Sequence, residues 1–403
     1  MTSHPSSSKS RWGVLALVTG AFAFGALSVL SVAPLAPFLL EALALSRAQV
    51  GFFLPAVYLG GVLMALPAGW LTDRLGVRLT LALGQAVIGV MVMAAALAWS
   101  LPALLACLVL GGFGFSVLNP ATGKAVIEWF PPRRRGVAMG IKQTGLTLGG
   151  LAGALTLPAV ALALGWRWAL GLAGAASLLS SLVVAVLYRE PPRAPGTEAI
   201  VWPRVRELSA FMRRPGVIVV FGSGLALSTA QSSVLAYLVL YGKETFGMSA
   251  IAAGQFLALA QVGGTASRLA WGAISDRFFG GRRRPGVVLN ALLGSGAYAA
   301  FALGESLPTT LAIPLAVVAG AGAFGWVGLY FALVAEIGGA HYAGLLTGLA
   351  VAFAWSGVLI GPPIFGVLLE TTGGYAAPWL VLSAIALAVA VMLPRLRPLV
   401  QRD

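Results

Sequence analysis

The chain has 403 residues, 59% hydrophobic and only 9% charged, against about a quarter charged in soluble domains; with a mean hydropathy of +0.93 the expected solvent is lipid, and a water-soluble enzyme is excluded. One cysteine, Cys107, and two histidines, His4 and His341, exclude disulfide scaffolds, zinc sites and Cys-pair redox chemistry, so no catalytic residue, metal or cofactor is expected. The net charge of +14 would suit nucleic acid only if the basic residues were clustered, which makes their position along the chain the deciding question.

Apolar stretches of about 20 residues bounded by charge or by Pro/Gly predict transmembrane helices. Twelve are found, over 12–38, 49–71, 79–99, 103–128, 136–163, 166–188, 216–240, 250–275, 286–304, 308–336, 343–369 and 375–393. The first is too long, and lacks a small-residue cleavage site, to be a removable signal peptide. A barrel would show short alternating segments instead. The expected organisation is a tail (1–11), a six-helix bundle (12–188), a Pro-rich and basic linker (189–215), a second six-helix bundle (216–393) and a tail (394–403). If the N-terminus is cytoplasmic, twenty Lys and Arg lie on that side and three, Arg47, Arg167 and Lys243, on the other. Both termini are therefore expected in the cytoplasm. The basic balance reads as topology plus contact with anionic lipid, not nucleic acid.

The halves read as copies. The stretch GWLTDRLG (69–76) recurs as GAISDRFFG (272–280), with Asp73 matching Asp276. An offset of 208 matches Glu128 with Glu336, and Gly136, Gly140, Gly149 and Gly153 with Gly344, Gly348, Gly357 and Gly361. Duplicated halves are a hallmark of secondary transporters.

On these residues the chain resembles the major facilitator superfamily over nearly its whole length. Gly69, Leu71, Asp73, Arg74 and Gly76 fit that family's loop between spans 2 and 3, and Gly272, Asp276, Arg277 and Gly280 repeat it less perfectly. The resemblance implies an all-α membrane fold of two pseudo-symmetric six-helix bundles. It also implies a cytoplasmic latch in which Asp73 reaches the start of span 11. Gating roles are expected for Asp73, Arg74, Arg78, Glu128, Asp276, Arg277 and Glu336, with Glu128 and Glu336 as partners of Arg78 and Arg282. Gly69 and Gly76 are expected to allow close packing and a tight turn.

Charge inside a bilayer is costly and needs a reason. Three basic residues, Lys124, Lys142 and Arg268, fall within spans, and no acidic residue lies deep in any of them. Lys124 is expected to pair with Glu128, one helical turn away. At 1.5 Å per residue, Lys142 sits about 9 Å and Arg268 about 12 Å from the cytoplasmic side. Unpaired positive charge at matched depth reads as an anion site. Arg268 lies in SRLAWGAISDR, which resembles the oxalate/formate-antiporter and monocarboxylate-transporter branches, where an Arg at this place binds substrate carboxylate. Span 11 lacks the second basic residue of the oxalate type, and Gly264 stands where the monocarboxylate type has Asp. Further pocket candidates are Gln261, Thr265, Gln143, Thr144, Asn119, Gln231, Tyr330, Trp355 and Ser356.

The expected function is alternating-access transport of a small organic anion, a carboxylate, with proton coupling or counter-anion exchange open. The expected protein is a monomer in a bacterial inner membrane. The alternative is a drug or other small-molecule exporter of the same superfamily, which would favour an acidic residue deep in the cavity. A membrane enzyme would need paired Asp, Ser/His or metal-spaced His, and the sequence has none.

Overall fold

The computed structural model describes residues 8–191 and 216–395, with backbone alone at a few positions that include 338–345. The described part is helical: α1 (Ser8–Leu30), α2 (Ala36–Ala42), α3 (Arg47–Val50), α4 (Phe53–Ala95), α5 (Leu101–Trp129), α6 (Pro132–Leu164), α7 (Trp166–Leu187), α8 (Val217–Phe246), α9 (Ala250–Phe278), α10 (Arg283–Phe301), α11 (Thr309–Phe324), α12 (Trp326–Thr372) and α13 (Ala376–Met392). Ten described stretches are long and apolar enough to cross a membrane. Expected spans 8 and 9 are present as α9 and α10, which are less apolar because they carry Gln, Asn, Ser and Arg.

Several boundaries differ from the sequence expectation, for local reasons. The first span ends at Leu30, and five turn residues containing Pro34 lead into α2. Spans 2 and 3 run on as α4, divided at Gly76, whose φ of 82° only glycine adopts freely. Span 10 is divided at Gly325, between α11 and α12. α12 then continues through the expected loop around His341 into span 11. The linker from 192 to 215 lies outside the described residues.

The chain forms two compact units: Met1–Leu45 with Ala56–Ala194, and Ser46–Pro55 with Pro195–Asp403. Within each, glycines let backbones approach, which is how helices associate where lipid removes the hydrophobic drive. In the first unit a Cβ on Gly149 of α6 would strike α1 at Ala23 and Leu27. In the second, its repeat mate Gly357 of α12 would strike α8 at Leu225 and Thr229. Spans 5 and 11 are thus seated in the same way on α1 and α8, the first spans of the two repeats. Gly69, by contrast, has open space around it, so close packing there is not its role. Large apolar side chains such as Val186, Leu269 and Leu63 face outward, a surface suited to acyl chains and not to water.

Candidate functional site

In the first unit, α6 carries Lys142 with 4% of its surface exposed. Its Nζ donates to Asn119 Oδ1, to Thr122 Oγ1 (3.2 Å) and, at 3.4 Å, to the Asn119 carbonyl on α5. The same nitrogen lies 5.2 Å from the centroid of the Phe22 ring on α1, a cation–π distance. The site therefore forms beside Pro120, which interrupts the backbone ladder of α5. Every partner of Lys142 among the described residues is neutral. Of the two neighbours expected to flank it, Gln143 is half-buried and Thr144 bonds back to the Ile141 carbonyl of its own helix.

In the second unit, Arg268 of α9 is half-buried, and its Nε donates to the carbonyl of Phe324 (2.8 Å), the last residue of α11. On the same face, Thr265 donates to the Gln261 carbonyl. Gln261 is buried, and its Nε2 has no hydrogen-bond partner among the described residues. Gln231 of α8 accepts from Trp326 Nε1 (3.0 Å). Trp326 meets Tyr330 edge-on at 5.3 Å, and the Tyr330 hydroxyl is also buried without a partner among the described residues. Ser356 bonds its own helix at Ala352 and is not drawn into this group. Trp355 is half-buried on α12.

The gating residues sort differently from expectation. Lys124 pairs with Asp73 (2.8 Å) and with the Thr72 carbonyl, not with Glu128 on its own helix; span 2 packs on α5, where Gly60 and Gly112 let the two backbones approach. The start of span 11, the expected partner of Asp73, falls among residues whose side chains are not described. Arg78 donates its backbone N–H to Glu190 and its Nε to the Ala185 carbonyl, so Glu190, and not Glu128, is its acidic neighbour. Glu128 is exposed at the end of α5. In the repeat, Arg283 and not Arg282 is the organising base: it lies 2.8 Å from Asp276 and 3.7 Å from Glu336. Burial raises the Glu336 carboxyl above its ordinary value, and Arg283 pulls it partly back. Arg74 and Arg277 lie over the rings of Trp70 and Phe278 at 5.2 and 5.8 Å.

Two clusters were missed from sequence. Arg47, read only as one of three cations on its side, pairs with Glu244 (3.0 Å), which also accepts from Tyr375. Burial and Glu244 hold the Tyr375 hydroxyl protonated, above its ordinary range. These residues line a cavity of about 430 Å³ in the second unit. The other cluster, Ser267, Trp271 and Asn290, surrounds the end of α11; an amide inside an expected span was its signal. Among the described residues no three His, Cys, Asp or Glu side chains are grouped to hold a metal.

The family model described as Major Facilitator Superfamily matches residues 15–358, and the chain belongs to that superfamily of membrane transporters. A hexuronate transporter of Bacillus subtilis is 24% identical over 393 residues, covering 93% of this chain and 91% of that one. A probable sulfoacetate transporter of Cupriavidus necator is 26% identical, covering 94% and 91%. The crystal structure of a bacterial homologue of the human lysosomal transporter Spinster superposes with a TM-score of 0.80 at 18% identity, over 97% of this chain and 98% of that one. That likeness shows the fold alone.

Proposed function

We propose that this major facilitator superfamily chain is a secondary carrier for a small organic anion bearing a carboxylate, of the size and charge of a hexuronate. The observation that carries the reading is a pair of cations within membrane helices, Lys142 and Arg268, the first of them surrounded only by neutral donors and acceptors among the described residues. A transported anion supplies the counter-charge that Lys142 does not find among the described residues. The relatives named above add a common thread, since hexuronate and sulfoacetate share little beyond being small organic anions. Arg268 is the main contact, because a guanidinium offers a carboxylate two parallel hydrogen bonds, whereas Lys142 acts as a point charge. Gln261, Thr265, Asn119, Gln143, Gln231, Tyr330, Trp355 and Ser356 supply neutral contacts around the two cations. Asp73, Arg74, Arg78, Glu128, Asp276, Arg277 and Glu336 serve the cytoplasmic gate. The carrier works as a monomer in a bacterial inner membrane, both termini cytoplasmic, and couples to a proton or a counter-anion.

Counterflow of labelled D-galacturonate in proteoliposomes tests the reading. Glucuronate and sulfoacetate should compete, while galactose and tetraphenylphosphonium should not. Competition by the cation alone would favour the drug-exporter reading instead.

A further inference from the structure

The division of span 10 at Gly325 has an unusual chemistry. When an α-helix opens between residues 324 and 328, the carbonyls of 321, 322, 323 and 324 lose their donors. In this chain each of those four already holds a side-chain donor. Ser267 Oγ donates to Ala321 O (3.1 Å), Asn290 Nδ2 to Gly322 O (2.8 Å), Trp326 Nε1 to Ala323 O (2.9 Å) and Arg268 Nε to Phe324 O (2.8 Å). The backbone has not let go at its first position, because the Gly325 N–H still donates to Ala321 O (3.0 Å). A carbonyl oxygen has two lone pairs and can hold both donors at once.

The cage is built closely. Trp271 Nε1 donates to Asn290 Oδ1 (2.8 Å), which fixes the amide so that its Nδ2 points at Gly322. A Cβ at Gly325 would collide with Ser267 Oγ and Asn290 Oδ1, and one at Gly264 with the Phe324 side chain. Glycine is required at 325 for space and not for conformation, its φ and ψ being −71° and −23°.

Within lipid an unsatisfied backbone group is what forbids a helix to open. Here the opening leaves the carbonyls of 321, 322 and 324 held by donors on α9 and α10, while Trp326 Nε1, shared between Ala323 O and Gln231 Oε1, covers the remaining one from α12 itself. We propose that Ser267 and Asn290 are positioning residues for the transport step, holding the α11–α12 junction as the joint on which span 10 bends, with Arg268 as its charged pin. The joint lies inside the membrane span Thr309–Val334. Its bending moves the segment carrying Tyr330 and Glu336 relative to α9 and α10, and it stands whatever the transported molecule is.

The test is electron–electron resonance between spin labels at Ala273, exposed on α9, and Ala332, seven residues beyond Gly325, in a Cys107→Ser background. The parent should give two distance populations. The Ser267→Ala/Asn290→Leu variant lacks two of the four donors, so the bent population should fall about five-fold or more, since two opened carbonyls would be left bare. A merely structural role would instead lower the melting temperature while leaving the populations alone. Asn290→Leu alone, which preserves side-chain volume, guards against a misfolded double variant. A single narrow distance in the parent, or two populations unchanged in both variants, would overturn the proposal.

Discussion

Lys142 in the first unit and Arg268 in the second invite comparison, because each donates to a carbonyl of a span interrupted in mid-course. Lys142 reaches Asn119 next to Pro120 in span 4, and Arg268 reaches Phe324 next to Gly325 in span 10; spans 4 and 10 are repeat mates. The solutions differ. Lys142 is wrapped, with Asn119, Thr122 and the Phe22 ring occupying its short ammonium. Arg268 gives its Nε to the carbonyl and is less buried, and a guanidinium carries five N–H donors in a planar fork where an ammonium carries three. The comparison teaches that a cation in a membrane helix can serve the backbone and a ligand together if its geometry has two edges, and must choose between them if it is a point charge.

The largest expected effect breaks the comparison on the arginine side. Arg268→Lys keeps the charge but cannot hold the Phe324 carbonyl and a carboxylate in the same geometry. Galacturonate counterflow should fall about 10- to 100-fold, as charge-assisted hydrogen bonds contribute about 1.5–3 kcal/mol. Parent-like rates would remove Arg268 from the site.

Next comes the break itself. Gly325→Ala puts a methyl group against Ser267 and Asn290, and overpacking of this kind costs about 1–3 kcal/mol. A lower melting temperature in detergent is expected. Gly328→Ala, three residues on and with nothing near its Cβ, should change it little.

The lysine side should respond more mildly. Lys142→Met preserves length and removes a buried charge, while exposed Asn119 can turn to water. Stability should hold, and affinity for galacturonate should drop by less than for Arg268→Ala. Equal losses in both variants would mean that the two cations act alike.

The smallest effect concerns the repeated acids. Asp73 pairs with Lys124 and Asp276 with Arg283, each acid being largely exposed. Such pairs contribute at most about 1 kcal/mol to stability, so Asp73→Asn should leave melting unchanged within that range. Its effect should appear in cysteine-accessibility labelling of the two membrane faces; unchanged labelling with normal transport would argue against a gating role.

The apolar runs and the repeated DR and glycine patterns made the fold class legible, because lipid allows little but helices and because glycines such as Gly149 and Gly357 mark matching contacts. Less legible was the second break. Gly76 stands in a motif that marks a turn and takes a positive φ, whereas Gly325 stands in no such motif and clears room for two side chains. Partner choice was hidden too. Lys124 is one turn from Glu128 but bonds Asp73, and Arg283 stands among three adjacent arginines without any mark that sets it apart. Local spacing predicts intrahelical pairs, and tertiary approach overrides them. Arg268 and Lys142 were found as charges in lipid, whereas their carbonyl partners leave no trace in a residue pattern.

The central claim is that cations inside the helices read the charge of a transported anion. Calorimetry of galacturonate binding to the purified parent, Arg268→Ala and Lys142→Met proteins tests it most directly. Binding that is lost in the arginine variant and weakened in the lysine variant, with galactose inert toward all three, is the predicted result. Galacturonate binding to both variants as tightly as to the parent would contradict it.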